Sequence, residues 1–168
     1  NLAIKAIEAY EKAYAMDAKQ EAKIAAGAAL LVNSLMEQGD ALNNMGKVKE
    51  AAEAFELAYR AQSVVPSLNA DANSLFNAGM LYAITASSAT GEEAQAAFKK
   101  GEEVISKALS TGYADEAGNI YYYLFHCYYG QKEADREFYL AKAKEALLTG
   151  IQLYPKNTTI LDGLMQFY

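Results

Sequence analysis

Apolar residues recur along this chain at i, i+4 and i+7, the spacing that lines one face of an α-helix, and they do so in two alternating registers. In one, a small residue is followed by a larger apolar one and a second small one. Its copies are Ala6, Tyr10 and Ala13; Ala51, Phe55 and Ala58; Ala97, Gly101 and Val104; and Ala143, Leu147 and Gly150. The lead residues stand 45, 46 and 46 apart, and Gly101 makes the third copy the weakest. The second register holds Leu35, Gly39 and Leu42; Leu75, Gly79 and Tyr82; Tyr121, Phe125 and Tyr128; and Leu161, Met165 and Tyr168, with leads 40, 46 and 40 apart.

Breakers separate the registers at Gly46, at Val65-Pro66-Ser67, at Thr90-Gly91, at Thr111-Gly112, at Gly130, and at Pro155 with Asn157. The pattern predicts helices over 2–17, 19–44, 47–63, 69–88, 92–110, 115–130, 133–153 and 157–168. Asn69 or Asp71 is placed to cap the fourth and Asp115 the sixth. The organisation expected is one all-α domain, 1–168, of stacked antiparallel hairpins at 19–63, 69–110 and 115–153, with half repeats at 1–17 and 157–168.

Composition agrees. The chain has 168 residues, 52% of them hydrophobic, and two prolines, which favours helices and a continuous core. The net charge of −6, with basic residues no denser than pairs such as Lys99 and Lys100, argues against a nucleic-acid partner. No apolar run reaches the ~18 residues of a membrane span; the best, Ala25 to Leu35, is short and Ala-rich. The single cysteine, Cys127, cannot form an internal disulfide. The chain opens at Asn1 and stops at Tyr168 within an apolar helix, which reads as a fragment of a longer protein.

Leu35, Gly39, Leu42, Gly46, Ala51, Phe55 and Ala58 stand at the spacing of the tetratricopeptide repeat, and the chain resembles that family over nearly its whole length. Residues 141–168 match again, with Ala143, Leu147, Gly150, Pro155 and then Leu161. Two departures mark it as divergent. The period is 45 to 46 residues where the family uses about 34, and the family's tryptophan position holds Leu35, Leu75, Tyr121 and Leu161. The resemblance implies a right-handed α-α superhelix and a non-catalytic scaffold that binds a protein or peptide in a groove lined by the first helix of each hairpin.

Carried over by spacing, that groove holds Asn33, Asn73 and Asn119; Met36, Phe76 and Tyr122; Asp40, Met80 and His126; and Asn43 and Tyr129. Asn amides can pair with a peptide backbone while Met, Phe and Tyr give adaptable apolar contact. The plainer alternative is that these asparagines cap or solvate helices and the rings only pack. A carboxylate-gripping ligand mode is disfavoured, because Met36 and Asp40 stand where Lys and Asn are expected.

The densest ring cluster, Tyr-Tyr-Tyr-Leu-Phe-His-Cys-Tyr-Tyr at 121–129, places Tyr121, Leu124, Phe125 and Tyr128 on the hairpin side and leaves Tyr122, His126 and Tyr129 as an opposite stripe. The last helix carries Leu161, Leu164, Met165, Phe167 and Tyr168, an apolar patch expected to pack against further chain or a second copy.

No cofactor or metal is expected. His126 and Cys127 are adjacent and so point about 100° apart on a helix, and one His plus one Cys falls short of a zinc ligand set. Gly39 through Lys47 lacks the spacing of a phosphate loop, and Asn157-Thr158-Thr159 reads as a helix cap. Two other readings stand beside the scaffold: a self-assembly module joined through its ends, and a helical accessory domain of a larger enzyme or envelope protein.

Overall fold

Short polar side chains set where several helices begin. Asn1, Asp135 and Asn157 each accept a hydrogen bond from a backbone N–H two or three residues on, at 2.9, 3.1 and 2.9 Å. In the computed structural model, which describes Asn1 to Tyr168, eight helices follow: α1 (Leu2–Met16), α2 (Glu21–Asn44), α3 (Val48–Gln62), α4 (Asn73–Ser88), α5 (Gly91–Ser110), α6 (Ile120–Gly130), α7 (Arg136–Leu153) and α8 (Thr158–Phe167). Short 3-10 turns at Ala18–Gln20 and Pro66–Leu68 complete an all-helical fold without strands.

Three starts fall three or more residues later than the periodicity predicts. The fourth helix begins at Asn73 because Pro66–Leu68 forms its own turn and Asn69 adopts a left-handed φ of 48°. Asp71, not Asn69, then receives the Asn73 N–H at 2.9 Å. The sixth begins at Ile120: Asp115 takes the N–H groups of Asn119 and Ile120 at 2.9 and 2.8 Å, holding 115–118 as a turn ahead of the helix. The seventh starts after Asp135. At 24 residues α2 is the longest helix.

The chain divides into two compact units, Asn1–Ala78 and Gly79–Tyr168, with residues of α4 in both. In the first unit α2 and α3 form a closely packed pair. Its core gathers Ile7, Ile24, Leu35, Ala58, Ala61, Val64 and Val65, flanked by Tyr10, Tyr14, Leu31 and Met36. Gly39 lets the Phe55 ring reach α2: a Cβ there would lie 2.8 Å from it. Arg60 reaches Glu11 through two hydrogen bonds of 2.9 and 2.8 Å, and these hold the Glu11 carboxyl below its ordinary value. The pair is about two-fifths exposed, so it contributes ~1 kcal/mol or less.

In the second unit Ile105, Ile120, Phe125, Cys127, Leu147 and Ile160 are fully buried. Burial of a side chain the size of Phe125 contributes about 1.5–3 kcal/mol. Gly101, the weak third copy of the first register, has a packing reason. A Cβ on it would stand 2.7 Å from Cys127 Sγ and 3.4 Å from the Gly79 carbonyl oxygen, so α5 crosses α4 backbone to backbone at two glycines, with Cys127 of α6 filling the remaining space.

The last copy of the second register carries the apolar patch expected to await further chain or a second copy. Leu161, Met165 and Tyr168 are exposed, while Ile160 and Gly163 are the buried residues of α8. The reason is the side on which α8 meets its neighbours, since it packs on α7 and α6 with Gly163 set against Leu147 and Phe125.

Candidate protein-binding surface on α6

Eleven consecutive helical residues, with rings at 121–123, 125, 128 and 129 and the His126 imidazole among them, cannot turn every ring to one side. The α6 helix resolves this by using two faces. Toward α7, Tyr121 backs onto Gly150, where a Cβ would stand 2.7 Å from Tyr121 Cβ, and Tyr128 lies 6.4 Å from the Tyr139 ring. A cleft of about 180 Å³ between these helices is lined by Tyr121, Leu124, Tyr128, Lys142, Glu145, Ala146 and Thr149. Burial pushes the phenol groups of Tyr121 and Tyr128 above their ordinary value.

The other face carries Tyr122, His126 and Tyr129, all half-buried. The Tyr122 ring stacks on His126 at 6.2 Å, and Phe98 of α5 meets the imidazole edge-on at 5.6 Å. Tyr129 lies 5.5 Å from Phe125 and 6.5 Å from Phe167 of α8, with the Lys132 ammonium 3.6 Å above its ring. Rings from α5, α6 and α8 thus join in one half-exposed aromatic surface ending in a cation.

His126 is tied to α4 through Ser87. The Ser87 hydroxyl lies 2.9 Å from the Ala83 carbonyl oxygen and 2.7 Å from His126 Nε2. A hydroxyl has one proton, so when Ser87 donates to Ala83, His126 Nε2–H donates to Ser87. In that arrangement the imidazole gives Ser87 no base. Burial lowers the His126 pKa, favouring the neutral ring. Its neighbour Cys127 points inward, and burial raises its thiol pKa far above the ordinary value, leaving it protonated. No cluster of three or more His, Cys, Asp or Glu is gathered where it could hold a metal.

The remaining candidates fall out by unit. In the first, Asn33, Asp40, Asn43 and Asn73 are exposed and Met36 and Phe76 half-buried. Met36 borders the core, and the Ser74 hydroxyl approaches its sulfur at 3.6 Å. In the second, Met80, Asn119, Tyr122, His126 and Tyr129 are all half-buried. Asn119 is engaged within the fold. Its Oδ1 accepts from Asn157 Nδ2 at 2.8 Å, and the same amide donates to the Ala117 carbonyl at 2.7 Å, joining the start of α6 to the cap of α8.

Sequence reasoning missed Ser87, Phe98 and Gln131. Ser87 lies outside the register positions, Phe98 sits one residue past a register lead, and Gln131 follows the end of α6. Gln131 is buried, and its amide donates to Glu102 at 2.7 Å and to the Cys127 carbonyl at 3.1 Å.

No family model matches the chain, and comparison with curated proteins and with solved structures finds no match. No helix is long and apolar enough to cross a membrane.

Proposed function

We propose that this chain is a tetratricopeptide-like scaffold, a right-handed stack of helical hairpins that binds a protein or peptide through the outward face of its first helices and performs no chemistry itself. One observation carries the reading. The α6 helix already turns Tyr121 and Tyr128 toward α7, yet it holds a second stripe, Tyr122, His126 and Tyr129, half-exposed and braced by Phe98, Phe167 and Ser87. Aromatic rings held rigid by neighbours lose little entropy on contact and are common anchors for a partner. The preferred ligand is an extended or helical peptide with apolar anchors and an acidic group for Lys132. Cys127, a buried and protonated thiol, also favours binding over catalysis.

The test is selection of a random peptide library on the whole chain, followed by affinity measurements on the winners with wild type and with Tyr122→Ala, Tyr129→Ala. We expect the double variant to bind at least tenfold more weakly at temperatures where both proteins are folded. Equal affinity for every selected peptide would overturn the assignment of this face.

A further inference from the structure

The stripe of Tyr122, His126 and Tyr129 has an imidazole at its centre, and the placement of one proton decides what that ring offers a partner. Ser87 Oγ lies 2.9 Å from the Ala83 carbonyl oxygen and 2.7 Å from His126 Nε2. A single hydroxyl proton cannot serve both contacts. Given to Nε2, it would leave the hydroxyl and carbonyl oxygens facing each other, lone pair to lone pair, at 2.9 Å. Given to the carbonyl, with an Nε2–H donating to Ser87, it makes both contacts hydrogen bonds. A neutral imidazole carries one N–H, so Nδ1 is then a bare acceptor.

That acceptor is open. The fold gives Nδ1 no partner, and no buried side-chain nitrogen or oxygen in the chain lacks one, so Nδ1 reaches solvent. It does so between the Tyr122 ring, stacked at 6.2 Å, and Tyr129 one turn further along α6. Around the imidazole, α4 presents the Ser87 hydroxyl, α5 the Phe98 ring, and α6 itself the phenols Tyr122 and Tyr129. The charges nearby are engaged elsewhere: Lys132 sits 3.6 Å above the Tyr129 ring, and Glu102 accepts from Gln131 at 2.7 Å. Burial alone moves the His126 pKa, downward, with no charged neighbour contributing, so the ring is neutral near pH 7.

We propose that His126 Nδ1 accepts a hydrogen bond from a neutral donor of the bound peptide, a main-chain N–H or a hydroxyl or amide side chain, and that the face releases the peptide when the imidazole takes up a proton. An imidazolium sets its own Nδ1–H against the peptide's donor and leaves both without an acceptor. Lys132 lies past Tyr129, so the peptide's acidic group falls about one helical turn from its donor. An acid opposite His126 would give the reverse dependence, tighter binding on acidification. The proposal rests on the binding surface assigned to α6 and adds to it the group recognised at its centre.

The experiment has two arms, both on the whole chain. Long-range ¹H–¹⁵N correlation of the free protein at about pH 7.5 locates the imidazole proton. It is expected on Nε2, and a proton found on Nδ1 would overturn the proposal. In the second arm, histidine-free peptides selected for dependence on Tyr122 and Tyr129 are titrated into wild type and His126→Phe from about pH 7.5 down to about 5.5. The proteins are matched at each pH by circular dichroism and melting, and His126→Gln, which does not titrate, replaces a His126→Phe that melts early. Wild type is expected to keep its affinity down to about pH 6.5, then weaken toward about tenfold per pH unit below the pKa of the free ring, one proton being displaced per peptide bound. His126→Phe is expected to bind about tenfold more weakly at the upper pH, and either variant to hold one affinity across the range. Wild-type affinity that ignores pH, or rises on acidification, would overturn the donor contact and leave the α6 surface standing. Library peptides that all bind without regard to Tyr122 and Tyr129 would instead remove that surface, and this contact with it.

Discussion

Asn157 shows how much one polar side chain does in this fold. Its oxygen caps α8 through the Ile160 N–H, and its amide nitrogen ties that cap to Ala117 and Asn119 ahead of α6. Replacing it with Ala removes the cap and leaves two acceptors without their donor, a loss of about 2–3 kcal/mol. Asn157→Asp keeps the cap but not the donor, so it should recover part of that loss in urea unfolding. The sequence pattern exposed the cap but not the bridge, because a reach of 38 residues to Asn119 has no local signal.

His126 gives a second residue-scale prediction. It is the only histidine, and burial beside Phe98 and Tyr122 keeps its folded pKa below the ordinary 6.5. As pH falls through about 6.5 the unfolded chain takes up a proton before the folded one does, so the unfolded state is favoured on acidification. Stability measured at pH 7.5 should therefore exceed that at pH 5.5, and His126→Gln should flatten the difference. The Glu11 contribution follows a separate window. Its carboxyl is held below 4.5 by Arg60, so that part is present above 4.5 and lost as pH falls below it, in wild type and variant alike.

At the scale of helices, the glycines divide by what surrounds them. Gly39 faces the Phe55 ring, whereas Gly46, with φ of 75°, follows the end of α2 and has open space, with nothing within 4 Å, where a Cβ would stand. Gly39→Ala should cost about 1–2 kcal/mol through overpacking and be partly rescued by Phe55→Leu. Gly46→Ala should cost about 1 kcal/mol through backbone strain, with no rescue from that change. Melting of wild type, the three single variants and the two double variants checks both.

Helix number and type were legible because each helix carries its apolar residues at i, i+4 and i+7, about two turns of one face. Their starts were not, since Asn69, Asp71, Asp115 and Asp135 all carry capping side chains and only tertiary context chooses among them. The two faces of α6 were legible for a simple reason: the rings at 121–129 exceed what one helix side can hold. The side of α8 that turns inward was not, because Ile160, Leu161, Leu164 and Phe167 offer apolar residues in several directions, and only Gly163 fits against Leu147 and Phe125.

At the scale of the molecule, two all-helical units, each with a buried core, share the residues of α4, and neither gathers a metal cluster. The function proposed for them rests on contact, and the location of that contact is its most exposed commitment. The direct measurement is an aromatic ¹H–¹³C NMR titration of the whole chain with a selected peptide. The largest shifts are expected on Tyr122, His126 and Tyr129, while Tyr139 and Tyr154 on the α7 side stay in place. Shifts confined to Tyr139 and Tyr154, with the α6 stripe unmoved, would contradict a binding surface on α6.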